Sequence, residues 1–286
     1  MPKLFFVMKD VQVEGANATT SYLTNAYPTS SILGMAEAFA FQLKQSDLAD
    51  ELLEEPVQAL SIIKHFEFQA GKKAFPAFHK SGGAAHKSMS PSEITLSESL
   101  CNFTATLVFA ISFHRGVDVE DELLPKWQTF LQRARVAGGK ITNLEKVQMD
   151  LVFRSVSSLE EALTYEKGWV VEDASDEFET VVEEFDVTEA VRQFTFTYIA
   201  EETVNGVKQK HYSKKQKGWY FLDLLGYQFL EEPRKRNGTR FDQPHVFAEP
   251  VVTAKKLSYF RLNRLDELFW QWHNAKESVW LTQVEL

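Results

Sequence analysis

The sequence predicts an α+β fold, and three observations predict it. Apolar and polar residues alternate over 4–13, the period of a strand with one buried face. Ile32, Met35, Ala36, Phe39, Ala40 and Leu43 recur at the spacing of one helix face. "VQALSIIKHFEFQAG" and "ITLSESLCNFTATLVFAISFHRG" are rich in β-branched and aromatic residues and read as strands, the second as one long strand or a pair. With a second helix predicted over 123–136, the order is strand, helix, strand, long loop, strand, helix. That order opens a ferredoxin-like β-α-β-β-α-β unit.

Taken in order, the first strand ends at Glu14-Gly15 in a turn, and a polar stretch, "GANATTSYLTNAYPTSS", leads to the first helix. Ser30 or Ser31 is placed to cap that helix. Between the next two strands lies "KKAFPAFHKSGGAAHKSMSPS", and a loop of that length in a compact domain is functional or disordered. The second helix gathers Trp127, Phe130, Leu131 and Ala134 on one face and closes at "AGGK", with Gly138 or Gly139 as its C-cap. Residues 144–216 read as an insertion or second lobe on a 1–143 core. Within it, "SSLEEALTYEKGW" suggests a short helix capped by Ser157 or Ser158. "RQFTFTYIAEETVNGVKQKHY" suggests a hairpin turning at Asn205-Gly206. Residues 217–286 complete the fold, with strands at "GWYFLDLLGYQFL" and "HVFAEPVVTAKKL" and a helix over 258–273. The apolar face of that helix holds Leu262, Leu265, Leu268, Phe269 and Trp272.

Composition narrows the function classes. The 286 residues are 44% hydrophobic and 25% charged, which suffices for a sizeable core. No apolar run approaches the roughly 20 residues that span a bilayer, so no membrane role is expected. The start, "MPKLFFVMKDVQVEG", is too soon charged for a secretory signal. The single cysteine, Cys101, excludes an internal disulfide and suits a reducing cytoplasm; its alternating apolar segment makes it a small buried side chain. No phosphate-binding glycine loop, HExxH or GxSxG motif occurs, and no two histidines share a helix face at i, i+4. Neither a metal nor a cofactor is therefore expected. His114, His245 and His273 are expected to be partly buried or to cap.

Charge is segregated. The net charge of −9 argues against a protein that coats nucleic acid non-specifically. Yet residues 172–189 hold nine acids and no base, whereas 71–90 hold Lys72, Lys73, Lys80 and Lys87 with His79 and His86 and no acid. A second basic cluster brings Lys208, Lys210, Lys214, Lys215 and Lys217, and a third Arg234, Lys235, Arg236 and Arg240. Any one of these is most simply a solvated loop, but together they describe a locally positive surface on an acidic protein. Binding RNA needs cations for phosphates, donors and acceptors for base edges and aromatic faces for stacking. The polar stretch offers Asn17, Thr19, Thr20, Ser21, Asn25, Thr29, Ser30 and Ser31 with Tyr22 and Tyr27, and the N–H groups of the following helix favour a phosphate. The plainer alternative is a loop whose hydroxyls satisfy its own backbone. Histidine in a basic loop also permits metal-independent cleavage of RNA, for which His79, His86 and His211 are the candidates. A protein-interaction domain without RNA is the third reading.

The order of motifs resembles a known family. "LFFVMKDVQVEGANATTSYLTNAYPTSSILGMAEAF", "IIKHFEFQ" with a basic loop and a long strand, "QRARVAGGKI", "GWYFLDLLGYQFL", "PHVFAEPVV", "KKLSYFRLNRLDELFWQWH" and "ESVW" follow one another as in the Csy-two, or Cas-five, type backbone subunit of type I-F CRISPR surveillance complexes. One departure is Ala26-Tyr27-Pro28, where the family has Gly-Phe-Pro. The resemblance implies an RRM-like core and a non-catalytic subunit that grips the 5′ handle of CRISPR RNA (crRNA) and caps the backbone filament. It implies a large subunit and a Cas-seven type backbone subunit as neighbours, target DNA met within the assembled complex, and a thumb-like loop over 71–92. The residues expected to contact RNA are Asn17, Thr20, Ser21, Tyr27, Ser30 and Ser31 in the polar stretch, and Lys72, Lys73, His79, Lys80 and Lys87 in the basic loop. Arg133, Arg135 and Lys140 around "AGG", with Arg234, Arg236 and Arg240, complete the set.

Overall fold

A computed structural model describes residues 3–20, 23–24, 27–69, 77–80, 95–98, 100–114, 117–148, 150–186, 189–190, 196–204, 207–214, 219–238 and 244–284. The N-terminal half holds β1 (Lys3–Asn17), β2 (Thr19–Thr20), β3 (Leu23–Thr24), α1 (Thr29–Lys44), β4 (Gln58–Phe68), β5 (Ala77–Lys80), β6 (Thr95–Glu98), β7 (Leu100–Ser112), α2 (Leu124–Leu131), β8 (Arg135–Val136) and β9 (Gly139–Ile141). Next come β10 (Val152–Phe153), α3 (Val156–Leu163), β11 (Trp169–Asp173), α4 (Ser175–Val182), β12 (Phe196–Val204) and β13 (Val207–Lys214). The chain finishes with β14 (Trp219–Phe229), β15 (Ala248–Tyr259), β16 (Trp270–Lys276) and β17 (Val279–Val284).

Eleven of these strands form one antiparallel sheet in the order β11-β15-β14-β17-β16-β4-β7-β1-β9-β8, with β10 also on β1. Because β11 pairs a second time, Trp169 with Ile63 of β4, the strands β4, β16, β17, β14, β15 and β11 close a ring. β7, β1, β9 and β8 extend outward from it. β12 and β13 form the predicted hairpin, Val204 opposite Val207, as a separate ladder. The fold is α+β, as predicted, with a large antiparallel sheet and few helices.

Both faces of the central strands are covered, which is why β1, β4 and β7 read as nearly continuous apolar runs at their middles. Leu4, Phe6, Met8, Leu107, Phe109 and Ile111 face α1 and α2. Phe5, Val7, Leu60, Ile62, Val108 and Ala110 face Leu159 and Leu163 of α3 and the segment carrying Leu265, Leu268 and Phe269. Trp127 anchors α2 with its ring centroid 4.7 Å from Phe39 and 5.2 Å from Phe6, each such contact adding about 1 kcal/mol beyond its buried area. Cys101 is 0% exposed, the buried side chain its segment predicted, and burial pushes its thiol up to about 12. It should resist alkylation in the native protein at pH 8 and react fully only after denaturation. Native labelling at the rate of free cysteine would overturn that burial.

Four local predictions are corrected. β1 continues past Glu14-Gly15 to Asn17, carrying two bulges against β7, between Met8 and Val11 and between Val13 and Ala16. α2 stops at Leu131, and "RVAGGKI" forms β8 and β9 rather than a last turn. α3 is capped by Ser155, whose hydroxyl accepts from the Ser158 N–H, and not by Ser157 or Ser158. Over 258–273 there is no long helix: β15 runs to Tyr259, residues 262–267 make 3-10 turns broken at Arg264, and β16 starts at Trp270. Leu265, Leu268 and Phe269 pack on one side of the sheet while Trp270 and Trp272 pack on the other, so spacing imitates a helix where the chain crosses between two cores.

Candidate nucleic-acid interface

The β8–β9 hairpin is built by backbone constraints. Val136 pairs with Gly139 across a two-residue turn in which Ala137 and Gly138 both take positive φ, 50° and 79°. Both central residues at φ > 0 is the geometry whose twist suits a two-residue hairpin. Gly139 then lies so close to β1 that a Cβ there would meet Ala16 N at 2.7 Å, Ala16 Cα at 2.8 Å and the Glu14 carbonyl O at 2.9 Å. The Ala137 carbonyl accepts from the Asn17 N–H at 2.8 Å, and the Gln12 carbonyl accepts from the Thr142 N–H at 2.9 Å. Val136 and Ile141 point into the core, which leaves Arg133, Arg135 and Lys140 exposed at the sheet edge. Arg135 and Lys140 are direct cross-strand partners, and neither they nor Arg133 forms an ion pair among the described residues. Like charges directly opposite each other are unfavourable, and on its other side Lys140 faces Glu14 of β1.

Other sequence-predicted residues converge on this end of the sheet. Asn17, exposed, is the cross-strand partner of Leu100, where β7 emerges from the basic loop. One step inward, Phe68 of β4 pairs with Cys101, so β4 and β7 together form the base of that loop. In the connection between β4 and β7, β5 pairs with β6, placing His79 opposite Leu96 and Lys80 opposite Thr95. Amide groups line its base: Asn102 Oδ1 accepts from the Gly15 N–H at 3.0 Å and from Gln69 Nε2 at 2.7 Å. Nothing in the local sequence pattern singles out Gln69 or Asn102; the strand register does.

α1 begins at the same end. Tyr27 lies 5.2 Å from Phe103, centroid to centroid, and Phe103 pairs with Val13, which in turn pairs with Ile141 of the hairpin. Pro28, at φ −79° and ψ 56°, makes an inverse γ-turn in which the Tyr27 carbonyl accepts from the Thr29 N–H at 2.8 Å. The helix therefore starts at Thr29 without a side-chain cap. Ser30 and Ser31 are not caps but stand in its first turn, half-buried and exposed. Tyr27 itself is inside the protein, its ring between Phe66 and Phe103 and its hydroxyl on Ser61 Oγ at 2.5 Å. Burial holds that phenol well above the usual tyrosine range. Its ring offers no free face to a base.

Arg234 and Arg236 are not brought to this end. They lie in the β14–β15 connection, which register carries past the other end of β4, where Gln58 pairs with Gln271. There Glu231 takes Arg234 Nη2 at 3.1 Å, Arg236 Nη2 and the Phe247 N–H, and that N–H and those guanidinium groups hold its carboxyl below the usual range. Arg236 also sits 4.5 Å over the Phe247 ring. A groove of 340 Å³ between Lys3, Glu55, Gln58, Gln271, Trp272 and His273 opens at that end. His245 is half-buried and pairs through its backbone with Arg234, as predicted for partial burial, but His114 and His273 are exposed. In the acidic stretch, Glu172 is buried and accepts from Arg264 Nη1 at 3.0 Å, so it is not solvated surface. Thr20 has a described backbone in β2 only, and Ser21, Lys72, Lys73, His86, Lys87 and Arg240 lie outside the described residues.

A family model described as CRISPR-associated protein (Cas_Csy2) matches residues 6–282, nearly the whole chain. No curated protein matches it. The chain belongs to the Csy-two family of type I-F CRISPR-associated proteins, which places it in a multi-subunit CRISPR complex of antiviral defence.

Proposed function

We propose that this Csy-two family subunit is non-catalytic and grips the 5′ handle of crRNA across the Phe68 end of its sheet. The observation that carries this reading is the gathering there of Arg133, Arg135 and Lys140, unpaired with carboxylates among the described residues, beside Asn17 and the base of the basic loop. The strand order β9-β1-β7-β4, all antiparallel, with α1 and α2 on one face, supports a ferredoxin-like, RRM-like core. The cations of the 71–92 loop then serve as a thumb-like arm along the phosphates and towards a neighbouring Cas-seven type subunit. The subunit caps the backbone filament in the cytoplasm beside the large subunit. Target DNA is met in the assembled complex, where pairing to the guide reads its sequence. No described helix is long and apolar enough to cross a membrane.

Charge reversal at the hairpin tests this. Arg135→Glu with Lys140→Glu should weaken binding of handle RNA roughly tenfold to a hundredfold at low salt. It should also flatten the slope of log affinity against log salt by about 1.4, the value for two lost single-strand phosphate contacts. Arg234→Glu, at the other end of the sheet, should leave affinity within about twofold, since its guanidinium is already held by Glu231. Unchanged affinity and slope in the hairpin variant would remove the basis of the reading.

A further inference from the structure

We propose that Tyr259, backed by Trp169 and flanked by Lys167 and Arg261, is a stacking step for an unpaired nucleobase of a single-stranded nucleic acid, the two cations holding an adjoining phosphate. The proposal rests on the nucleic-acid reading above and adds a site on the other side of β4.

Trp169 and Tyr259 are direct cross-strand partners on β11 and β15. Their rings stack with centroids 3.9 Å apart and planes inclined by 26°. At that separation nothing enters between them, so the 65% exposure of Tyr259 comes from its opposite face and edge. The outer face is rigidly presented. Trp169 packs on the main core, and its backbone closes the ring of strands on Ile63. A Cβ on the preceding Gly168 would meet the Ile63 carbonyl O at 2.5 Å, so the glycine lets β11 seat against β4. A preformed aromatic face avoids the ordering cost of a mobile side chain.

The register continues beyond the two rings. The Gly168 carbonyl accepts from the Phe260 N–H at 2.9 Å, and Lys167 and Arg261 are the next residues along the two chains. Arg261 keeps an extended backbone, at φ −134° and ψ 121°, and each cation is two residues from its ring, a separation of about 7 Å at strand spacing. Cations on the opposite face of these and the neighbouring strands are committed. Lys64 binds Asp10 at 2.6 Å and Glu166 at 2.7 Å, and Lys9 binds Glu166 at 3.5 Å. Lys256 binds Glu177, and Arg264 binds Glu172 and Glu267. Lys167 and Arg261 are exposed and have no carboxylate partner among the described residues. Two unpaired cations beside a bare aromatic face are the parts of a sequence-tolerant single-strand site: charge for the backbone and a π-surface for any base. From β9 to β11 the strand order is β9-β1-β7-β4-β11, four inter-strand steps or about 20 Å, a span that a few nucleotides bridge.

The test uses the full chain and fluorescently labelled ten-nucleotide RNA and DNA of one sequence, with anisotropy titrations. Tyr259→Ala should weaken binding roughly 5- to 150-fold, the range for loss of one stacked base. Tyr259→Phe should restore it, while Tyr259→Leu, which still covers Trp169, should not. Lys167→Glu with Arg261→Glu should weaken binding and flatten the salt slope by about 1.4. A loss with RNA only or DNA only identifies which strand uses the step. If Tyr259→Leu binds both strands as the native protein does, the stacking step is overturned, and a loss in the β8–β9 variant would still uphold the hairpin site. If only the Tyr259 variants weaken binding, the step stands and the hairpin reading falls. If the native chain binds neither strand, both fall.

Discussion

Asp223→Ala should destabilise the protein by about 3–5 kcal/mol, because it strands a positive charge inside the ring of strands. Lys255 is 0% exposed and Asp223 1%. The ammonium donates to Asp223 Oδ2 at 2.9 Å and to the Leu224 carbonyl at 2.8 Å, and it lies 4.5 Å from the centroid of the Trp270 ring. The Trp270 indole in turn donates to the Val171 carbonyl at 3.0 Å, which ties β16 to β11 across the ring. Burying an ammonium is tolerated here because a carboxylate, a carbonyl and an aromatic face replace its water. Remove the carboxylate and the desolvation cost remains without its main compensation. The paired change Asp223→Leu with Lys255→Met removes both charges and should fall within about 1–2 kcal/mol of the native protein. Urea denaturation of the three proteins measures this. A single variant no less stable than the double one would mean that the pair carries no such penalty.

That ring could not be anticipated from the chain. The local pattern does reveal β1, α1, β4, β7 and the β12–β13 hairpin, because each carries an apolar strand run, a helical period or a turn pair of its own. The segment 258–273 misled for a physical reason. Leu265, Leu268 and Phe269 serve one core and Trp270 and Trp272 another, and periodicity assumes that one element buries one face. The candidate site was legible only in part. Arg135 and Lys140 stood out by charge, but their facing each other depends on a turn with Ala137 at φ 50°, where alanine gives no signal. In the sequence Tyr27 offers an aromatic face for RNA, and the structure gives it a core role instead. A phenylalanine would fill the same space, and the hydroxyl that tyrosine adds is matched by Ser61. Trp169 and Tyr259 stack only because β11 and β15, far apart in the chain, share a register.

Gly139→Val should detach the β8–β9 hairpin from β1 and with it the basic edge. The added side chain would strike Ala16 N, Ala16 Cα and the Glu14 carbonyl, all backbone atoms of a strand fixed on its other edge by β7. A flexible neighbour can yield a few tenths of an ångström, but β1 cannot without breaking its pairing with Cys101 and Phe103. The hairpin is the element with fewer bonds, so it moves. Its release exposes Val136 and Ile141, roughly 1.5–3 kcal/mol each when fully buried. It also breaks the hydrogen bond from Asn17, about 1 kcal/mol net. A loss of about 4–7 kcal/mol is therefore expected, falling locally first. Hydrogen exchange separates local from global loss: the Asn17 and Thr142 amides, which donate to Ala137 and Gln12, should exchange fast while the β4–β7 ladder stays protected. Protection retained at Asn17 and Thr142 would show that β1 accommodates the side chain. Handle RNA supplies the second readout, since Arg135 and Lys140 keep their charges in this variant but lose their place. If binding falls as far as in the charge-reversed hairpin, position beside Asn17, and not charge alone, is what the backbone of this edge provides.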